Sequence, residues 1–241
     1  MIPLRDANPT RRFPVLTIAI IAVCVVAFGW ELGVEANGGQ RALGLLFLDY
    51  GAVPARISAA LETGDLVSGA VLGILTSMFL HGGWLHLGGN MLYLWIFGNN
   101  VEDRFGSLGF VAFYLLGGAV AALAQVAVDP ASEVPLVGAS GAISAVLGAY
   151  LVFFPHARVL TLVFLGFFYQ LLQVPALLVL GFWFVLQLID GVATLGASTA
   201  AGGVAFFAHI GGFVAGFVVA IVIRAIRPGP PRGPTYRYGV G

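Results

Sequence analysis

The chain has 241 residues, 59% of them hydrophobic and only 9% charged, with 34 glycines. A soluble domain carries about 25% charged residues, so this is the composition of an integral membrane protein. The 11 basic and 11 acidic residues balance, and without a surplus of clustered basic groups nucleic acid is excluded as a partner. The single cysteine, Cys24, allows no intramolecular disulfide and reads as apolar filling.

Residues 1–13, "MIPLRDANPTRRF", form a polar N-terminal segment. The apolar run behind it is longer than a signal-peptide core and lacks a small-residue cleavage site, which predicts a retained anchor. A bilayer core about 30 Å thick is crossed by roughly 20 helical residues. Six runs meet that length: 14–34, 83–102, 107–128, 136–154, 174–195 and 204–226. Three further apolar stretches, 44–50, 66–80 and 157–173, are short or interrupted and are placed at the interface or as re-entrant pieces. The loop 35–65 carries Glu35, Asp49, Glu62 and Asp65 around a short apolar run, and predicts an element lying in the outer leaflet. Residues 227–241, "RPGPPRGPTYRYGVG", have the Pro and Gly content of a disordered tail.

Cytoplasmic flanks of membrane helices collect arginine. With six spans and a cytoplasmic N-terminus, Arg5, Arg11, Arg12, Arg104, Arg158, Arg224, Arg227, Arg232 and Arg237 lie inside and only Arg41 and Arg56 outside. Promoting a short stretch to a full span would reverse every later loop. The expected architecture is therefore an all-α membrane protein, with a six-helix membrane domain over 14–226, an outer-leaflet loop after the first helix, and both termini cytoplasmic.

Polar side chains within lipid are costly unless paired, and so mark function. The spans hold His86, Asn90, Ser140, Ser144 and His209 in their interior, with Gln125 and Gln187 nearer the rims and Glu31 and Asp190 near ends. The lack of an acidic residue near a midplane weighs against a proton- or sodium-coupled transporter. His81 reads as structural and His156, beside Arg158, as solvated. Histidine without cysteine or acidic company at ligand spacing predicts no metal, and no cofactor is implied.

Depth brings some of these groups together. Ser140 and His209 fall a few residues into spans of the same direction, roughly 6–8 Å below the outer surface at about 1.5 Å per residue. His86 and Asn90, four apart, share one face of the second span. Gly141, Ala145 and Gly148 run beside Ser140, and Ala205, Ala208, Gly212 and Gly216 accompany His209; such stripes let helix backbones touch.

With "GASG" at 138–141, "AHIGGFVAG" downstream and "HGGWLHLGGNMLYLWIFGNNVEDRFG" upstream, the chain resembles the rhomboid family of intramembrane serine proteases. The order of the three motifs on the fourth, sixth and second spans carries the resemblance, which extends from about Arg12 to Arg227. It implies a six-helix rhomboid-like bundle with Ser140 as nucleophile, His209 as general base, and His86 and Asn90 stabilising the oxyanion. The backbone N–H of Ser140, at a helix N-terminus, is a further donor. No buried acid accompanies His209, which points to a Ser–His dyad. Glu102 and Gly106 match a structural family pattern. Two positions depart from it: Ser144 stands where many bacterial members have tyrosine, and "PARI" at 54–57 lies near where a Trp-Arg pair is frequent.

The implied activity is hydrolysis of a peptide bond in or near the transmembrane segment of a single-pass membrane protein, in a bacterial inner membrane. Catalytically silent relatives that bind membrane proteins are the other class; they lose Ser or His, and this chain keeps both. The loop 191–203 is expected to cap the site. Phe182, Trp183 and Phe184 of the fifth span, facing Trp84, Tyr93 and Trp95 of the second, would form a lateral entrance or serve equally as lipid anchors.

Overall fold

The computed structural model describes residues 1–65, 67–165, 168–195 and 205–226. The C-terminal tail, with Arg227, Arg232 and Arg237, and most of the expected cap loop lie outside the described residues. The first helix, α1 (Val15–Tyr50), bends at Gly39, whose φ of 67° only glycine adopts readily. Its N-terminus has no capping side chain of its own. Glu102 supplies one from a distance: its carboxylate accepts the N–H groups of Leu16 (3.1 Å) and Thr17 (2.8 Å) and the hydroxyls of Thr17 and Ser107. A buried acid at a helix N-terminus satisfies orphan donors and meets the positive end of the helix dipole.

Beyond α1, α2 (Pro54–Thr63) opens on proline and closes on Gly64 at φ 74°. Next, α3 (Gly69–Thr76) tightens into a 3₁₀ turn at Ser77–Phe79 and then breaks by 78° into α4 (Trp84–Tyr93). A π turn, Leu94–Gly98, carries α4 into α5 (Asn99–Phe105). The remaining helices are α6 (Ser107–Val128), α7 (Ser140–Phe153), α8 (Ala176–Thr194) and α9 (Phe206–Ile226).

By length and composition α1, α6, α8 and α9 can each cross a membrane, and the bent pair 69–105 makes a fifth. The fourth expected run is shorter than anticipated. Its helix, α7, has 14 residues, or about 21 Å against a core of about 30 Å. Every residue of α7 from Ala142 to Tyr150 is buried, so it is the central post of the bundle. It touches α9 most closely. A Cβ built on Gly216 would collide with the carbonyl of Ala145, one on Gly148 with the carbonyl of Phe213, and one on Gly212 with the carbonyl of Gly141. The small-residue stripes thus let two backbones meet without intervening side chains.

The expectation of an all-α chain is corrected by a three-stranded antiparallel sheet. Strands β1 (Ile2–Asp6), β2 (Arg158–Leu165) and β3 (Phe168–Pro175) pair in that order, with Ile2 opposite Leu162 and Arg158 opposite Pro175. The stretch 157–173, expected as an interfacial or re-entrant piece, is mostly this hairpin. Its β-branched and aromatic content suits a strand, and β1 completes the pairing of β2. The sheet is tied to the bundle through Asp6, whose carboxylate accepts the Tyr150 hydroxyl at 2.7 Å and the Asn100 amide at 2.8 Å.

Candidate active site

The segment before α7 is held on both sides. Ala52 and Leu136 exchange backbone hydrogen bonds of 3.0 and 2.8 Å, and the Gly138 N–H donates to the Ser77 carbonyl at 2.8 Å. Gly138 has φ 124°, a conformation other residues rarely take. A Cβ there would also lie 2.6 Å from His86 Nε2 and 3.6 Å from Asn90 Nδ2. Glycine at 138 therefore does two things: it turns the chain into α7 and leaves room for the His86 ring, with Asn90 at ordinary contact distance.

Ser140 is the first residue of α7, so its own N–H has no intrahelical acceptor. His209 is buried in the first turn of α9, and its Nε2 lies 2.7 Å from Ser140 Oγ. The pair meets at hydrogen-bonding distance because Gly212, one turn after His209, rests on the carbonyl of Gly141.

The α4 residues approach from the other side. His86 Nδ1 accepts the N–H of Gly82 at 3.3 Å, which assigns the ring proton to Nε2, the nitrogen facing Gly138. Asn90 is buried, and its Nδ2 has no hydrogen-bond partner among the described residues. A buried donor without an acceptor is uncommon in a native fold and is explained when an acceptor arrives with a ligand. His81 sets its ring edge-on to that of His86, 5.2 Å between centroids, while its backbone N–H donates to the buried Glu31 carboxylate at 3.0 Å, an anchor for the break before α4.

Two glutamines, read from the sequence as rim residues, prove to bracket His209. Gln125 of α6 accepts the N–H of Ala208 at 3.3 Å, and Gln187 Oε1 of α8 lies 2.7 Å from His209 Nδ1. Trp183, one turn earlier on α8, sets its ring 6.0 Å from the imidazole at 37°. The Ser144 hydroxyl bonds back to the Ser140 carbonyl at 2.6 Å. A glutamine four residues after a tryptophan, and so on the same face of a largely apolar helix, was the signal available in the sequence.

Five helices, α4, α6, α7, α8 and α9, thus bring a hydroxyl, an imidazole and the polar side chains around them to one end of the bundle. The Rhomboid domain family model matches residues 68–226, and the chain belongs to the rhomboid family. It is 30% identical over 216 residues to Rhomboid protease GluP of Bacillus subtilis, covering 90% of this chain and 36% of that protein. It is 32% identical over 154 residues to Rhomboid protein 1, mitochondrial, of Saccharomyces cerevisiae, covering 62% of this chain and 39% of the relative. With RHOMBOID-like protein 5 of Arabidopsis thaliana it shares 31% identity over 169 residues, 70% of this chain and 49% of the relative. The aligned region spans less than half the length of each of these relatives.

Proposed function

We propose that the protein is an intramembrane serine endopeptidase that cuts single-pass membrane proteins in or near their transmembrane segments, using Ser140 and His209 as a dyad. The observation that carries this reading is the 2.7 Å contact between Ser140 Oγ and His209 Nε2, with an unpartnered amide donor of Asn90 close by. Serine becomes nucleophilic only beside a base. His209 Nε2 takes the hydroxyl proton as Oγ attacks the scissile carbonyl. The tetrahedral oxyanion receives hydrogen bonds from His86 Nε2–H, Asn90 Nδ2–H and the Ser140 N–H, donors already in place before charge develops. Collapse expels the amine, which takes its proton from His209. Water then attacks the acyl ester by the same route.

Membrane embedding follows the same reading: six spans, with α4 and α5 as the second and the short α7 as the fourth. The end that holds Ser140 is outer, about a turn into the bilayer, and water reaches it from above. Arg104 over the Phe153 ring and Arg224 bonded to the Val152 carbonyl group the basic residues at the opposite end of α7, which supports a cytoplasmic placement of that end and of both termini. A bacterial inner membrane is the proposed location. Retention of both Ser140 and His209 favours the enzyme over a silent binding protein.

The test is cleavage of a single-pass substrate by purified protein in lipid vesicles, beside Ser140→Ala and His209→Ala. Cleavage by the unsubstituted protein alone is the expected result. Failure by all three across several substrates, with folded protein, turns the reading to a membrane-protein-binding relative without activity.

A further inference from the structure

We infer that Gln187 is the positioning residue of the site: its amide oxygen holds His209 in the Nδ1–H form and leaves Nε2 free to take the Ser140 proton. The inference rests on the reading of Ser140 and His209 as nucleophile and base, and assigns what orients that base where no acid bonds it among the described residues.

The geometry is a three-membered chain. Gln187 Oε1 stands 2.7 Å from His209 Nδ1, and His209 Nε2 stands 2.7 Å from Ser140 Oγ. An amide oxygen only accepts, so the 2.7 Å contact requires a proton on Nδ1. A neutral imidazole with its proton on Nδ1 has its lone pair on Nε2, the nitrogen that faces the hydroxyl. The opposite amide orientation would direct NH₂ at Nδ1, place the ring proton on Nε2 and leave Ser140 without a base.

The placement of Gln187 points the same way. Its neighbours Val185, Leu186, Leu188 and Ile189 are exposed apolar residues, as befits a helix facing lipid, where an unpaired amide is costly. Gln187 and Trp183 form an i, i+4 pair directed at α9, one bonding the imidazole edge and the other lying against the ring. Ser144 is engaged with its own helix, so the ring is held from α8. The base is therefore set by a helix that carries neither member of the dyad.

An interhelical hydrogen bond with no catalytic role would look similar in outline, so the test reads the imidazole and the nucleophile directly. Protein in vesicles or detergent is labelled with ¹⁵N-histidine to read the His209 tautomer, treated with a fluorophosphonate to time Ser140 labelling, and assayed on a membrane substrate. In Gln187→Leu, losing the acceptor is expected to slow labelling and kcat by about tenfold, the scale of one neutral hydrogen bond, with KM unchanged. The tautomer moves from Nδ1–H to a mixture. Gln187→Glu, which keeps an acceptor, restores the tautomer and most of the labelling rate.

Wild-type labelling and tautomer in Gln187→Leu would overturn the inference while leaving the dyad intact. So would an Nε2–H tautomer in the unsubstituted protein, a result that needs no variant to fold. If the unsubstituted protein is not labelled at Ser140, it is the dyad reading that falls.

Discussion

Gly212 of α9 rests on the carbonyl of Gly141, the residue after Ser140, so the two backbones register Ser140 against His209, one turn before Gly212. A methyl group at 212 would collide with that carbonyl and lie 3.3 Å from Ala121 Cβ. Gly212→Ala is expected to destabilise the protein by about 1–3 kcal/mol through overpacking. It should reduce cleavage further than that, because a displacement of about 1 Å between reacting groups can cost roughly 100-fold. Gly181→Ala on α8, where nothing lies within 4 Å, is the matched control and should match the unsubstituted protein in both thermal unfolding and cleavage.

Asn90 separates catalysis from stability. Its buried Nδ2 has no partner among the described residues, so its removal breaks no hydrogen bond at that atom. Asn90→Ala is expected to lower kcat by about 10²–10³-fold, the scale of one oxyanion donor, while KM and the unfolding midpoint change little. A folded variant that cleaves normally would contradict the oxyanion role.

The residues that carry the proposed chemistry were legible because lipid makes polarity conspicuous. Ser140, His209, His86 and Asn90 stand out in apolar runs, and the stripes of Gly and Ala beside the first two predict the close helices found there. Gln125 and Gln187 escaped because they were set aside as rim residues; α6 and α8 end within one residue of the expected runs, and it is the site itself that lies at this end, with His209 in the first turn of α9. What holds His209, left open by Ser144, was thus on the neighbouring helix. The sheet escaped for a different reason. "RVLTLVFL" is nearly uniformly apolar, so period alone does not distinguish strand from membrane segment, and one of its two pairing partners lies at the opposite end of the sequence.

The aromatic run of α8 divides by direction. Trp183 lies against His209 and Phe213, and Phe184 stacks on Phe213 at 4.4 Å, whereas Phe182 is 46% exposed. Phe182→Ala is therefore expected to alter cleavage of a membrane-embedded substrate without changing fluorophosphonate labelling of Ser140. Trp183→Ala should slow both. Equal cleavage by Phe182→Ala and the unsubstituted protein would remove Phe182 from any lateral route to the site and leave it a lipid-facing anchor.

Asp6 gives the N-terminal strand a pH dependence. Burial raises its carboxyl to about 6, against the opposing influence of the Tyr150 hydroxyl and nearby Arg5. The folded state thus binds a proton that the unfolded chain, near an ordinary value of 3.8, has already lost. The stability contributed by this group is fully present below that ordinary value and is lost as pH rises through about 6. Hydrogen exchange corrected for its intrinsic pH dependence should show β1 amides better protected near pH 5 than near pH 7, within the window set by that shift. Asp6→Asn retains an acceptor for Tyr150 and Asn100 and should flatten the profile. Protection that instead increases toward neutral pH would mean that the ionised carboxylate, held by Tyr150, Asn100 and Arg5, is the form that docks the strand.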